Sequence, residues 1–104
     1  MYYAKKISGR FRLDKREEGL KMVSEFWNSN MSKVQGLKGF MFILDPYNPE
    51  LELATNITVW ESKQFMDELY LHNASYSTIL EKIQQMTDGE LKRSEYIVLD
   101  FKRN

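Results

Sequence analysis

Along the first dozen residues, apolar Tyr3, Ile7 and Phe11 alternate with Lys6, Ser8, Arg10 and Arg12, the period-two pattern of a strand with one buried face, and Leu13 continues it. Asp14 then offers an oxygen to the free amides of a helix start, and Glu17, three residues on, completes a capping-box pattern. Leu20, Val23, Trp27, Met31 and Val34 recur at spacings of three and four, with Met22 and Phe26 beside them, which predicts an amphipathic helix. Gly36 and Gly39 supply the backbone freedom at which helices end. Phe40 to Leu44 is a short run apolar on both parities, and Asp45-Pro46-Tyr47-Asn48-Pro49 has turn chemistry. In the next strand, Leu51 to Trp60, Leu53, Ile57 and Val59 share one parity, and Ala54, Asn56, Thr58 and Trp60 the other. The two runs read as a hairpin.

Ser62 is placed to cap a second helix carrying Phe65, Met66 and Leu69, and His72-Asn73-Ala74-Ser75 predicts a break. Tyr76, Ile79, Leu80, Ile83 and Met86 resume the helical spacing until Asp88-Gly89. Glu95 to Phe101 closes the pattern as a strand, with Ile97, Leu99 and Phe101 opposite Tyr96 and Val98. The order strand, helix, strand, strand, broken helix, strand is the α+β, ferredoxin-like βαββαβ arrangement, a four-stranded antiparallel sheet with helices on one face. Helices on one side shelter one face only. Both parities of the second and last strands are apolar, so the pattern predicts a homodimer through the sheet face, a dimeric α+β barrel. The competing reading has the chain's own termini, or Tyr and Met side chains, covering that face.

With 104 residues the expectation is one domain over 1–104, and 42% hydrophobic residues suffice to build its core. The 15 basic and 15 acidic residues cancel, so no positive field gathers phosphates and nucleic acid is not an expected partner. Lys5, Lys6, Arg10 and Arg12 read as a solvated strand face, and Glu50 with Glu52 as a solvated edge. Cysteine is absent, which removes thiol nucleophiles and thiolate metal sites. Met1 to Arg12 holds no signal-like apolar stretch, and no window approaches the roughly 20 apolar residues of a membrane span, so the expected location is cytoplasmic, with no membrane partner. No glycine-rich phosphate cradle or clustered metal ligands appear, and with one histidine a nucleophile–base pair would rest wholly on His72.

Gln35-Gly36-Leu37-Lys38-Gly39-Phe40 before the second strand, and Trp60-Glu61-Ser62-Lys63 closing the third, resemble the antibiotic-biosynthesis monooxygenase-like dimeric α+β barrels from roughly Tyr3 to Phe101. The resemblance implies an oxygenase that uses no metal, flavin or other cofactor and acts on a small aromatic or quinol-type compound. Asn56 and Trp60 match that family's Asn and Trp four residues apart on the third strand, as catalytic candidates. An amide there would hold an oxyanion or peroxide by hydrogen bonds, and an indole would offer a stacking wall. Met66 stands where the family has a Tyr, and an apolar stretch near Leu80 where it has a basic residue. Tyr70, Tyr76 and Arg10, with Met66, are therefore the substrate-binding candidates. The competing reading of Asn56 and Trp60 is structural: a ladder-bonding amide and a core anchor. Heme-degrading relatives carry an axial His where this chain has Ile79 or Leu80, which leaves His72 as a helix-end polar residue rather than a ligand. A non-catalytic module that binds a small apolar ligand or a partner is the alternative to an enzyme, and a heme-binding relative, with His72 the one histidine to serve it, is the third reading.

Overall fold

The structure, a computed structural model, describes residues 1–45 and 53–102. Strand β1 (Tyr2–Phe11) leads through a 3-10 turn (Leu13–Lys15) into helix α1 (Arg16–Asn30). Strands β2 (Leu37–Leu44) and β3 (Leu53–Trp60) follow, then helices α2 (Lys63–His72) and α3 (Ala74–Met86) and strand β4 (Thr87–Val98). The four strands form one antiparallel sheet in the order β2-β3-β1-β4, the ferredoxin-like α+β architecture.

The parity of β3 decides which face the helices cover. Ala54, Asn56, Thr58 and Trp60 are all buried, whereas Thr55, Ile57 and Val59 are half-buried and Leu53 is exposed. Register sets Ile7 and Phe42 on either side of Asn56, and Lys5 and Phe40 on either side of Thr58, so these side chains share the helix face. Against them pack Val23, Phe26 and Trp27 of α1, Met66 and Leu69 of α2, and Tyr76 and Ile83 of α3. Trp27, Trp60 and Met66 are sealed almost completely, and large side chains of this kind carry about 2 to 3 kcal/mol each in burial free energy.

The opposite face is apolar and open. Met41 is 54% exposed, Ile43 47% and Tyr96 48%. The chain covers one corner of it itself: the Phe101 ring meets Tyr2 edge-on at 5.8 Å, and a Cβ on Gly39 would stand 3.6 Å from it. The reading in which the C-terminus shelters part of the second face therefore holds at that corner.

The helix ends follow local chemistry. Ser62 Oγ accepts the Phe65 amide at 3.3 Å, as its position predicts, and Asn73 Oδ1 accepts the Tyr76 amide at 2.9 Å, so the expected break is one residue shared by two helices. Asp14 does not cap α1. It lies in the 3-10 turn, α1 begins at Arg16 without a side-chain cap, and Leu13 is 83% exposed rather than continuing the buried face. Gly36 has the left-handed backbone expected of it (φ 81°), but Gly39 lies inside β2, which starts at Leu37 rather than Phe40.

The largest departure is β4. It starts directly after α3, at Thr87 rather than Glu95, and it stops at Val98, leaving Leu99 and Phe101 outside the strand. Gly89 is left-handed (φ 74°) not to cap the helix but at an irregularity where β4 shifts register against β1. The Pro46–Pro49 part of the expected turn, Leu51, Glu50 and Glu52 fall outside the described residues.

Candidate functional site

Asn56 occupies the middle of β3, between β2 and β1, where an alternating strand must point it into the layer between sheet and helices. It is 7% exposed, and its Nδ2 donates to the Met41 carbonyl at 3.3 Å. Its Oδ1 accepts no hydrogen bond from the described residues, yet it is not sealed, because the side chain lines a half-open cavity. Phe11, Trp27, Phe42, Tyr76 and Ile83 are among the other walls. The cavity measures about 40 Å³. By the rule that one water needs roughly 10–15 Å³, this is room for about three waters, and a benzene-sized guest needs roughly 150 Å³. A ring enters only if α3 or the side chains it contributes move outward.

Tyr76 is another wall of this cavity. Burial pushes its phenol well above the usual range, and neighbouring Tyr70 adds to the shift, so it stays protonated near neutral pH. Tyr70 is pushed up to about 12 by burial, against the opposing pull of hydrogen bonds from Thr58 and Tyr76. The two rings meet edge-on at 5.0 Å. Tyr70 hydroxyl and Thr58 Oγ1 lie 2.8 Å apart, and Trp60 Nε1 donates to the same Thr58 oxygen at 2.8 Å. Lys5 Nζ stands 5.2 Å from the centre of the Tyr70 ring and bridges Glu95 at 3.0 Å.

These contacts divide the expected residues. Asn56 and Tyr76 come together at the cavity wall, and Tyr70 stands behind Tyr76. Trp60 shares the face of Asn56 but is not a wall: four residues at about 3.3 Å each separate them along the strand, and its indole N–H is already engaged by Thr58. Met66 is buried in the core, also away from the cavity walls. Arg10 is misplaced by the sequence reading, since its even position in β1 points to the open face, where it is exposed. Lys5, read as a solvated charge, in fact faces the helices, its side chain 13% exposed.

His72 is exposed in the last turn of α2 and does not line the cavity, consistent with a helix-end residue. Heme does not fit these residues, because the cavity is far too small for a porphyrin and no histidine lines it. Among the described residues no three His, Asp or Glu side chains group as metal ligands.

Arg93 escaped the sequence reading. It follows Leu91, a cavity wall, by two residues on the helix face of β4, and pairs in register with Ile7, another wall. The period-two run Leu91, Arg93, Glu95, Ile97 carried that signal, but its polar half does not read as strand.

No model of a known protein family matches the sequence, and no curated protein matches it. Solved structures match its fold closely. A protein of Nitrosomonas europaea, provisionally named an antibiotic biosynthesis monooxygenase, superposes with a TM-score of 0.81 at 13% identity, over 94% of this chain and 90% of that one. One of Deinococcus radiodurans with the same provisional name gives 0.79 at 10% identity, over 100% and 98%. A dimeric ferredoxin-like protein of unknown function from Jannaschia sp. CCS1 gives 0.79 at 8% identity, over 94% and 100%. At such identities the likeness is one of fold, and in fold the chain is similar to the antibiotic-biosynthesis monooxygenase-like proteins its motifs resemble.

Proposed function

We propose that this protein is a monooxygenase of the antibiotic-biosynthesis type, acting without metal or flavin on a small aromatic or quinol-type compound. Supporting it most directly is Asn56, a buried amide with an unengaged carbonyl oxygen on the wall of an apolar cavity. That oxygen accepts a proton-bearing hydroxyl of the substrate and orients the ring. Tyr76, kept protonated and bonded to Tyr70, closes the same space with its ring. The electron-rich ring then supplies all four electrons to dioxygen: one oxygen atom enters the ring, which ends as a hydroxylated quinone, and the other leaves as water with two of the substrate's hydrogens. Trp60 acts by positioning, since Thr58 and Tyr70 link its indole to Tyr76.

The active unit in this reading is one domain over 1–104, a cytoplasmic homodimer in which a second copy covers Met41, Ile43 and Tyr96. The dimeric relative from Jannaschia supports that assembly. A second reading, a non-catalytic module binding a small apolar ligand, draws support from the tight cavity and the engaged Trp60.

An oxygen electrode separates the two. With hydroquinone present, the enzyme reading expects uptake above the buffer rate, lost in Asn56→Ala with its circular dichroism unchanged. Uptake at the buffer rate, together with a ligand-induced rise in melting temperature, leaves the binding module.

A further inference from the structure

Arg93 is the group on the helix face that the fold leaves without a use. Across the sheet it stands in the row Arg93, Ile7, Asn56, Phe42, the last three of which line the cavity, and along β4 it adjoins Leu91, also a wall. It is exposed, and no described residue forms an ion pair or side-chain hydrogen bond with it. Its neighbours do not neutralise it. Glu95, two residues on along the same face, is held by Lys5 at 3.0 Å. Tyr70 and Tyr76, which both feel the charge of Arg93, are phenols rather than phenolates near neutral pH. The cavity therefore has an apolar body and an amide and a phenol among its walls, and Arg93, a guanidinium without an ion-pair partner among the described residues, is the register neighbour of its Ile7 wall.

Resting on the reading of this cavity as a ligand site, we propose that Arg93 is its specificity-determining residue and that the preferred ligand is a hydroxylated aromatic acid. The hydroxyl end points inward to the Asn56 carbonyl oxygen, the ring lies over Ile7, which stands between Asn56 and Arg93 in that row, and the carboxylate remains at the edge of β4 on Arg93. A guanidinium suits this task because its planar fork meets both oxygens of a carboxylate. Arg93 is exposed, so the gain over a neutral analogue is about five- to tenfold, between that of a surface pair and that of a desolvated one.

The test compares 4-hydroxybenzoate with 4-hydroxybenzamide, equal in shape but not in charge, by titration calorimetry on the intact protein. The wild type should bind the acid about five- to tenfold tighter. Arg93→Gln should abolish that preference while leaving the amide's affinity in place, Arg93→Lys should keep part of it, and added salt should shrink it. Equal wild-type affinities, or a preference that survives in Arg93→Gln, would overturn the assignment. If the amide binds and Asn56→Ala weakens it, the cavity reading stands and only the acid preference falls. Should neither probe bind, both fall together.

Discussion

Two glycines share a backbone conformation but not a neighbourhood, and the pair makes a sharp test of how the loop before β2 is held. Gly36 has φ 81° and Gly89 φ 74°, so alanine at either one meets the left-handed penalty of roughly 1–2 kcal/mol, offset by about 0.4–1 kcal/mol from a stiffer unfolded chain. At Gly89 nothing lies within 4 Å of the added methyl, and Gly89→Ala should cost about 1 kcal/mol. At Gly36 the methyl would approach Cβ and Cγ of Phe65 to 2.5 Å. Swinging the ring cannot relieve a clash with Cβ, and Phe65 sits in the first turn of α2, where its amide is bound by Ser62. The Gly36 carbonyl also accepts the Glu61 amide at 2.7 Å, which ties the loop to the end of β3. Overpacking of this kind adds roughly 1–3 kcal/mol, so Gly36→Ala should cost about 2–4 kcal/mol in urea unfolding with an unchanged m-value. The double variant with Phe65→Ala should show a coupling of more than about 1 kcal/mol. Equal losses at the two glycines would refute the close packing of this loop on α2.

Thr58→Val keeps the shape of the side chain but leaves the Trp60 indole and the Tyr70 hydroxyl without their shared partner, and should cost about 2–4 kcal/mol in chemical denaturation. Stability should also fall at high pH. Tyr70 is neutral in the fold up to about 12, whereas the unfolded chain ionises near 10. The unfolded state thus binds fewer protons between those values, and the contribution, complete below pH 10, declines by about 2–3 kcal/mol as the pH reaches 12. Tyr76 shifts in the same direction and adds to the decline, which unfolding at pH 9, 10 and 11 would register alongside late tyrosine absorbance changes. On the open sheet face, the paired change Met41→Glu and Ile43→Glu should halve the sedimenting mass without lowering helix content, and an unchanged wild-type-like mass would remove the two-fold assembly.

Where burial and backbone chemistry coincide, residues announced their places. The alternation in β3 separated Asn56 and Trp60 from Ile57 and Val59 correctly, because a strand with one covered face has no other register. Ser62 and the break at Asn73 were legible for a local reason, an oxygen three residues before an amide that needs it. The front half of β4 was not legible, since Asp88 to Ser94 carries mostly polar side chains and is a strand through its ladder with β1. Missing that half hid Arg93 as well. Arg10 failed for a parity reason, being one residue out of phase with Ile7 and Phe11. Shared parity placed Trp60 on the correct face but could not tell a cavity wall from the packed core beyond Thr58, a distinction set by how α2 and α3 settle on the sheet.

The proposed function requires Asn56 to meet a ligand inside the layer between sheet and helices. Its side-chain amide resonances, assigned by comparison with Asn56→Ala, report on that atom group alone during a titration with hydroquinone. The expected result is a saturable shift of those resonances together with ring signals of Tyr76 and Trp27. Saturable shifts confined to the open sheet face, with the Asn56 amide unmoved, would contradict it.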